Sequence, residues 1–84
     1  MTLNMAIVHR LRTLCFHRRV KGVELSRRTG ISVSTIYKIM DGRLNALSVD
    51  TLKKLCDALD ISLVDFFGAG IFNEIDDRQP DKTV

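Results

Sequence analysis

The stretch Leu25-Ser26-Arg27-Arg28-Thr29-Gly30-Ile31-Ser32-Val33-Ser34-Thr35-Ile36-Tyr37-Lys38-Ile39 constrains the fold of this chain more than any other part of it. Its spacing predicts a short helix, a sharp turn at a glycine, and a second helix whose first turn is small and polar. Gly30 can take a positive φ without a Cβ clash, so it can end one helix and reverse the chain. Ser32 can then cap the next helix by accepting from the free amides of its first turn. Leu25, Ile31, Ile36 and Ile39 are spaced to lock the two helices at a fixed angle, and Ser26 is small enough to let their backbones approach. Val33, Ser34, Tyr37 and Lys38 are left on the outer face of the second helix.

Helix is the only secondary structure supported elsewhere. Apolar side chains at Leu3, Ile7, Leu11 and Leu14, widened by Val8 and Cys15, form a stripe at helical spacing. Arg10, Arg12, His17 and Arg18 take its other side. Arg18, Arg19 and Lys21 near its end favour the negative end of the helix dipole. The two helices of the turn are expected at 22–29 and 33–41, with Asp41-Gly42 as the stop signal. After a loop from Arg43 to Leu47, Ser48 reads as an N-cap with Asp50 in the first turn, and Leu52, Leu55, Cys56 and Leu59 give the next core stripe. Asp60 is expected to break that helix, because Asp tolerates the left-handed region better than most residues. Ser62-Leu63-Val64-Asp65 resembles a capping box with Asp in place of Glu, opening a short last helix through Phe67 that Gly68 and Gly70 end. The expected organisation is therefore a single all-α domain over 1–72 and an acidic, frayed tail over 73–84 that contains Pro80.

Composition limits what such a chain can be. At 84 residues it is one domain, and it should bury somewhat more than the ~60% of unfolded surface that a domain of ~60 residues buries. An apolar fraction of 45% excludes a disordered chain. Cys15 and Cys56 fall at apolar helix positions with no CxxC and no His or acid at ligand spacing, which points to buried reduced thiols. Ala6-Ile7-Val8 before His9-Arg10 is too short for a signal-peptide core, and no run approaches a membrane span. A reducing cytoplasm is the expected location.

The charge is unevenly spread. Residues 1–43 carry nine basic side chains against Glu24 and Asp41, a net +7, whereas residues 44–84 carry four against eight acids, a net −4. That split attracts a polyanion to one side of the molecule and repels it from the other. Together with a glycine-hinged helix whose outer face is polar, it is the arrangement needed to push a rigid helix into the major groove of DNA.

Taken in order, the first helix, LSRRTGIS, STIYKI, DG and DTLKKLCDALDISLVDFF resemble the Cro/CI-type helix-turn-helix regulators, the lambda-repressor-like (XRE) DNA-binding domains. The resemblance covers about residues 7–67. It implies a compact five-helix domain, with the helix-turn-helix at about 22–41, that binds operator DNA as a two-fold dimer and acts as a repressor. It also implies that the base-reading side chains are Val33, Ser34 and Lys38, with Tyr37 beside them. Thr35, Arg43 and Asn45 are then the candidates for phosphate contacts. Four departures stand out. Arg19 occupies a place where the family often has Gly, and Lys21 one where Ser or Thr caps the second helix. Cys15 and Met40 replace an Arg–Glu pair; exchanging both charges for apolar groups can leave a domain intact where losing one would not. Ala46-Leu47 stands where the loop usually has a Pro.

Three of the four Phe residues fall in 63–72, more apolar surface than a core of this size can absorb. Phe67, Ile71 and Phe72 are the dimerisation candidates, unless Ile71 and Phe72 fold back onto their own core. The rival function is an antitoxin-like or accessory protein-interaction module that uses this segment, with DNA binding secondary. Enzyme chemistry has little support: His9 and His17 are eight residues apart with no acid to orient either, no Cys sits at a helix N-terminus, and there is no phosphate loop. No metal, cofactor or small-molecule ligand is expected.

Overall fold

Five α-helices and one 3-10 helix follow one another in the computed structural model, which describes residues 1–44 and 47–75. They are α1 (Leu3–Arg18), α2 (Gly22–Thr29), α3 (Val33–Met40), α4 (Val49–Ala58) and α5 (Leu63–Phe67), with the 3-10 helix at Gly70–Glu74. The described residues contain no strand. The 3-10 helix carries regular structure through residues 73 and 74, where the sequence suggests a tail; residues 76–84 lie outside the described residues.

Four helices begin on a side-chain cap. Thr2, Ser32, Ser48 and Ser62 each accept a hydrogen bond from the amide three residues on, at 3.1, 3.3, 3.1 and 3.0 Å. These oxygens satisfy amides that a helix leaves without internal partners. Of the five α-helices only α2 starts without such a cap: Lys21 is extended and its side chain makes no capping bond. Val20 and Leu25, one before the cap and one at the fourth helical position, are both buried in the common core, the arrangement of a hydrophobic staple.

Three helices end alike. Val20 N–H donates to Cys15 O, Arg43 N–H to Lys38 O, and Ile61 N–H to Cys56 O, at 2.9, 2.9 and 3.0 Å. Each closure needs a left-handed residue, supplied by Arg19 (φ 55°), Gly42 (φ 73°) and Asp60 (φ 57°). Asp60 thus ends α4 as its residue type suggests, and Arg19 adopts the conformation for which a glycine is the ordinary choice.

The core is assembled from Ile7, Leu11, Leu14, Cys15, Val20, Leu25, Ile36, Ile39, Leu52, Leu55, Cys56, Leu59 and Phe66. Ala6 is also fully buried on α1, whereas Leu3, on its first turn, stays exposed. Cys15 is buried and Met40 half-buried against the core, so the apolar exchange at those places packs the α1–α3 contact. Both cysteines are free, and burial pushes their thiols up from the ordinary range. At neutral pH they are packing groups, not nucleophiles.

Two arginines serve the fold and not the surface. Arg10, expected on the solvent side of α1, is half-buried and donates from Nε to Phe66 O at 2.9 Å and from Nη2 to Asp65 O at 3.0 Å. Its guanidinium also lies 5.9 Å from the Phe66 ring centroid. Arg28 donates from Nη1 to Ala58 O at 2.8 Å, tying α2 to the end of α4. All three bonds place a cation on the carbonyls at a helix C-terminus, which the helix dipole favours. Arg10→Ala is expected to lower stability by roughly 1–3 kcal/mol through those two charge-assisted bonds and the lost packing. Arg10→Lys should recover less than half, because a point charge cannot fork to two carbonyls. Urea denaturation of the three proteins checks both values.

Candidate nucleic-acid interface

The angle between α2 and α3 is held by more than the apolar lock. Gly30 sits at φ 79° and its amide donates to Ser26 O at 2.9 Å. Ser26 Oγ donates across the turn to Ile31 O at 2.5 Å. Thr29 Oγ1 donates to Leu25 O at 2.7 Å and accepts from Ile31 N–H at 3.2 Å. Beneath the turn Leu25 and Ile36 are fully buried, Ile39 nearly so, and Ile31 packs against them half-buried. Ser26 therefore bonds as well as giving room, and Thr29 is a turn-holding residue that sequence reasoning missed. A Thr one before a helix-ending glycine is the signal that pointed to it.

With Ile36 and Ile39 sealed inside, the opposite face of α3 is open. Val33 is 40% and Tyr37 45% exposed, and Ser34 and Lys38 are exposed with them. All four expected outer residues thus share one accessible face. Thr35 is half-buried: its amide bonds to Ser32 Oγ, and its hydroxyl accepts from the same oxygen at 2.9 Å. It keeps one O–H to donate outward. Tyr37 leans its ring across the first residue of α2, where Gly22 leaves space for it.

The charges around this face divide into engaged and open. Glu24 is hydrogen-bonded by Arg27 and by Arg28, which hold its carboxyl below the usual range. Arg27 and Arg28 are therefore partly neutralised where they stand. Arg43 pairs with Asp41 at 3.2 Å, both side chains more than half exposed. Such a surface pair is worth ~0–1 kcal/mol and yields readily to a phosphate. Among the described residues no ion pair engages Lys21 or Lys38. Asn45, a candidate phosphate contact, lies outside the described residues. Asn4 Nδ2 donates to Leu44 O at 2.9 Å, so α1 holds the chain just after Arg43.

The apolar segment divides similarly. Phe66 is fully buried, and Phe72 packs on it and on Phe67 with ring centroids 5.8 and 4.9 Å apart. Ile71 and Phe72 are half-buried, and the 3-10 helix that carries them packs on α1. The outer side of α5 is what remains open, with Val64 82% and Phe67 41% exposed. Among the described residues no group of three or more His, Cys, Asp or Glu could hold a metal ion, and no helix is long and apolar enough to cross a membrane.

Gly30→Ala is expected to destabilise the domain by about 1–2 kcal/mol, the cost of a left-handed L-residue, although a Cβ there meets nothing within 4 Å. Thermal unfolding by circular dichroism reads the loss. An unchanged midpoint contradicts a turn that depends on the glycine.

A helix-turn-helix with a rigid turn, a buried inner face and an open polar outer face is the geometry of a major-groove reader. Comparison with curated proteins and with solved structures gave no significant match. The family model of the Cro/C1-type HTH DNA-binding domain matches residues 10–69, from the middle of α1 to the second residue past α5. The chain therefore belongs to the Cro/C1-type helix-turn-helix DNA-binding domains.

Proposed function

We propose that this chain is a sequence-specific transcriptional regulator, acting as a repressor, which inserts α3 into the major groove of an operator as a homodimer. The reading rests on one observation: Val33, Ser34 and Lys38 lie exposed on a helix whose other face is locked into the core. Lys38 donates to guanine O6 and N7, as a point charge that specifies less sharply than an arginine. Ser34 donates or accepts according to the base, and Val33 lies against a thymine methyl. None of these is a bidentate Arg, Asn or Gln. Half-site spacing and DNA shape supply the rest of the specificity. Arg43, released from Asp41, takes a phosphate, as does the spare hydroxyl hydrogen of Thr35; Asn45 belongs to the same group of backbone contacts.

The dimer of this reading uses the outer side of α5. Val64 and Phe67 supply the apolar centre, with Ile71 at the margin, and Phe72 braces Phe67 from behind. A two-fold axis there sets two α3 helices about 34 Å apart, one helical turn of DNA. The same exposed pair favours a second reading, an antitoxin-like or accessory module in which α5 binds a different protein. A homodimer at micromolar concentration separates the first from the second.

Selection from a random duplex pool should enrich paired half-sites about one helical turn apart. Lys38→Ala should then weaken binding to the selected site by ~1–3 kcal/mol and relax preference at one base pair. Equal losses on selected and mixed-sequence duplexes contradict its role as a base reader. Arg43→Ala should instead weaken both alike and reduce the slope of log affinity against log salt by about one. For the dimer, Phe67→Asp should yield a monomer in sedimentation, and a wild-type protein that is monomeric with and without DNA excludes it.

A further inference from the structure

Gly22 has no backbone reason to be a glycine. Positive φ among the glycines is confined to Gly30 and Gly42. As the first residue of α2, Gly22 even weakens the helix relative to alanine. What distinguishes it is its neighbour. A Cβ built there would meet Tyr37 Cε1 and Cζ at 3.0 Å and the phenol oxygen at 3.3 Å. Of the five glycines it alone has a side chain in the space its own would fill; Gly68 meets only backbone, and Gly30, Gly42 and Gly70 meet nothing.

The ring of Tyr37 thus lies in a notch cut by the missing side chain, across the start of the neighbouring helix. Seated there it is still 45% exposed, and among the described residues its hydroxyl makes no hydrogen bond. An aromatic ring held along its edge keeps one orientation, so its oxygen is offered to solvent with little rotamer freedom left to lose. The seat also leans the ring toward α2, away from the residues aligned to read bases. A neutral O–H donor at that margin suits a phosphate oxygen of the strand that α2 approaches.

We propose that Gly22 is a positioning residue for DNA binding: its notch holds the Tyr37 ring so that the phenol hydroxyl donates to a backbone phosphate, as a sequence-independent clamp. The inference rests on the DNA-binding reading above. It moves Tyr37 from the base readers to the backbone contacts.

The chain has one tyrosine and no tryptophan, so tyrosine fluorescence reports Tyr37 alone. The test takes the full chain and compares Gly22→Ala, Gly22→Leu, Tyr37→Phe and Gly22→Leu/Tyr37→Phe. Acrylamide quenching is measured on the free proteins, affinity on a pool-selected duplex and a mixed-sequence duplex, and circular dichroism verifies folding. Alanine requires the ring to give by only a few tenths of an ångström, so Gly22→Ala should bind within about twofold of wild type. Leucine fills the notch. Gly22→Leu should raise Tyr37 quenching and lose roughly 5- to 20-fold in affinity on both duplexes, with the salt slope unchanged because no cation contact is lost. Tyr37→Phe should lose the same factor, and the double variant no more than either single one.

Three results overturn the proposal: wild-type quenching and affinity in Gly22→Leu, losses that multiply in the double variant, or a Tyr37→Phe loss confined to the selected duplex. A wild-type chain that binds neither duplex removes the DNA-binding reading itself, and this inference with it. Quenching on the free protein still reports whether the notch holds the ring.

Discussion

The reversal at Gly30 is the constraint on which the rest of this molecule depends. A helix can present a face to a groove only if something else fixes its orientation. Here a left-handed glycine does so, with two hydroxyls bonding the turn's backbone groups and Leu25, Ile36 and Ile39 sealed beneath. Because the lock is both apolar and polar, rotating α3 would unmake hydrogen bonds as well as packing. A bound duplex thus meets a surface already in place, and little binding energy goes into ordering it.

The basic half of the sequence overstates the positive face. Arg10 and Arg28 spend their charge on the carbonyl ends of α5 and α4, and Arg27 and Arg28 share Glu24. Among the described residues Lys21 and Lys38, like Arg12, Arg18 and Arg19 on or just after α1, have no ion-pair partner, and Arg43 sits in a loose pair with Asp41. The cations bound into the structure hold the scaffold while the open ones face outward. Counting charges along a sequence merges the two kinds.

Features whose chemistry is local were legible in the sequence. Ser32, Ser48 and Ser62 cap helices because a serine oxygen reaches an amide three residues on, whatever the tertiary fold. Gly30 and Asp60 end helices for equally local reasons. The exposed face of α3 followed from the three-residue spacing of Ile36 and Ile39. Features that depend on the meeting of distant segments were not legible. Arg10 finds its carbonyls 55 and 56 residues away. Tyr37 is seated by a glycine on another helix, and the apolar run 63–72 leaves open whether Phe72 turns back onto Phe66, because Gly70 does not announce the 3-10 turn that brings it there. Arg19 takes a left-handed conformation against its own preference, because the closure of α1 on Val20 requires one there.

Dimethyl sulfate modification of the bound duplex tests the central claim most directly, since it reports guanine N7 in the major groove and adenine N3 in the minor groove separately. A rigid α3 lying with its outer face against base edges should protect guanine N7 in each half-site and leave adenine N3 reactive. Protection of adenine N3 alone, or binding that leaves every guanine N7 open, would mean that another surface meets the DNA.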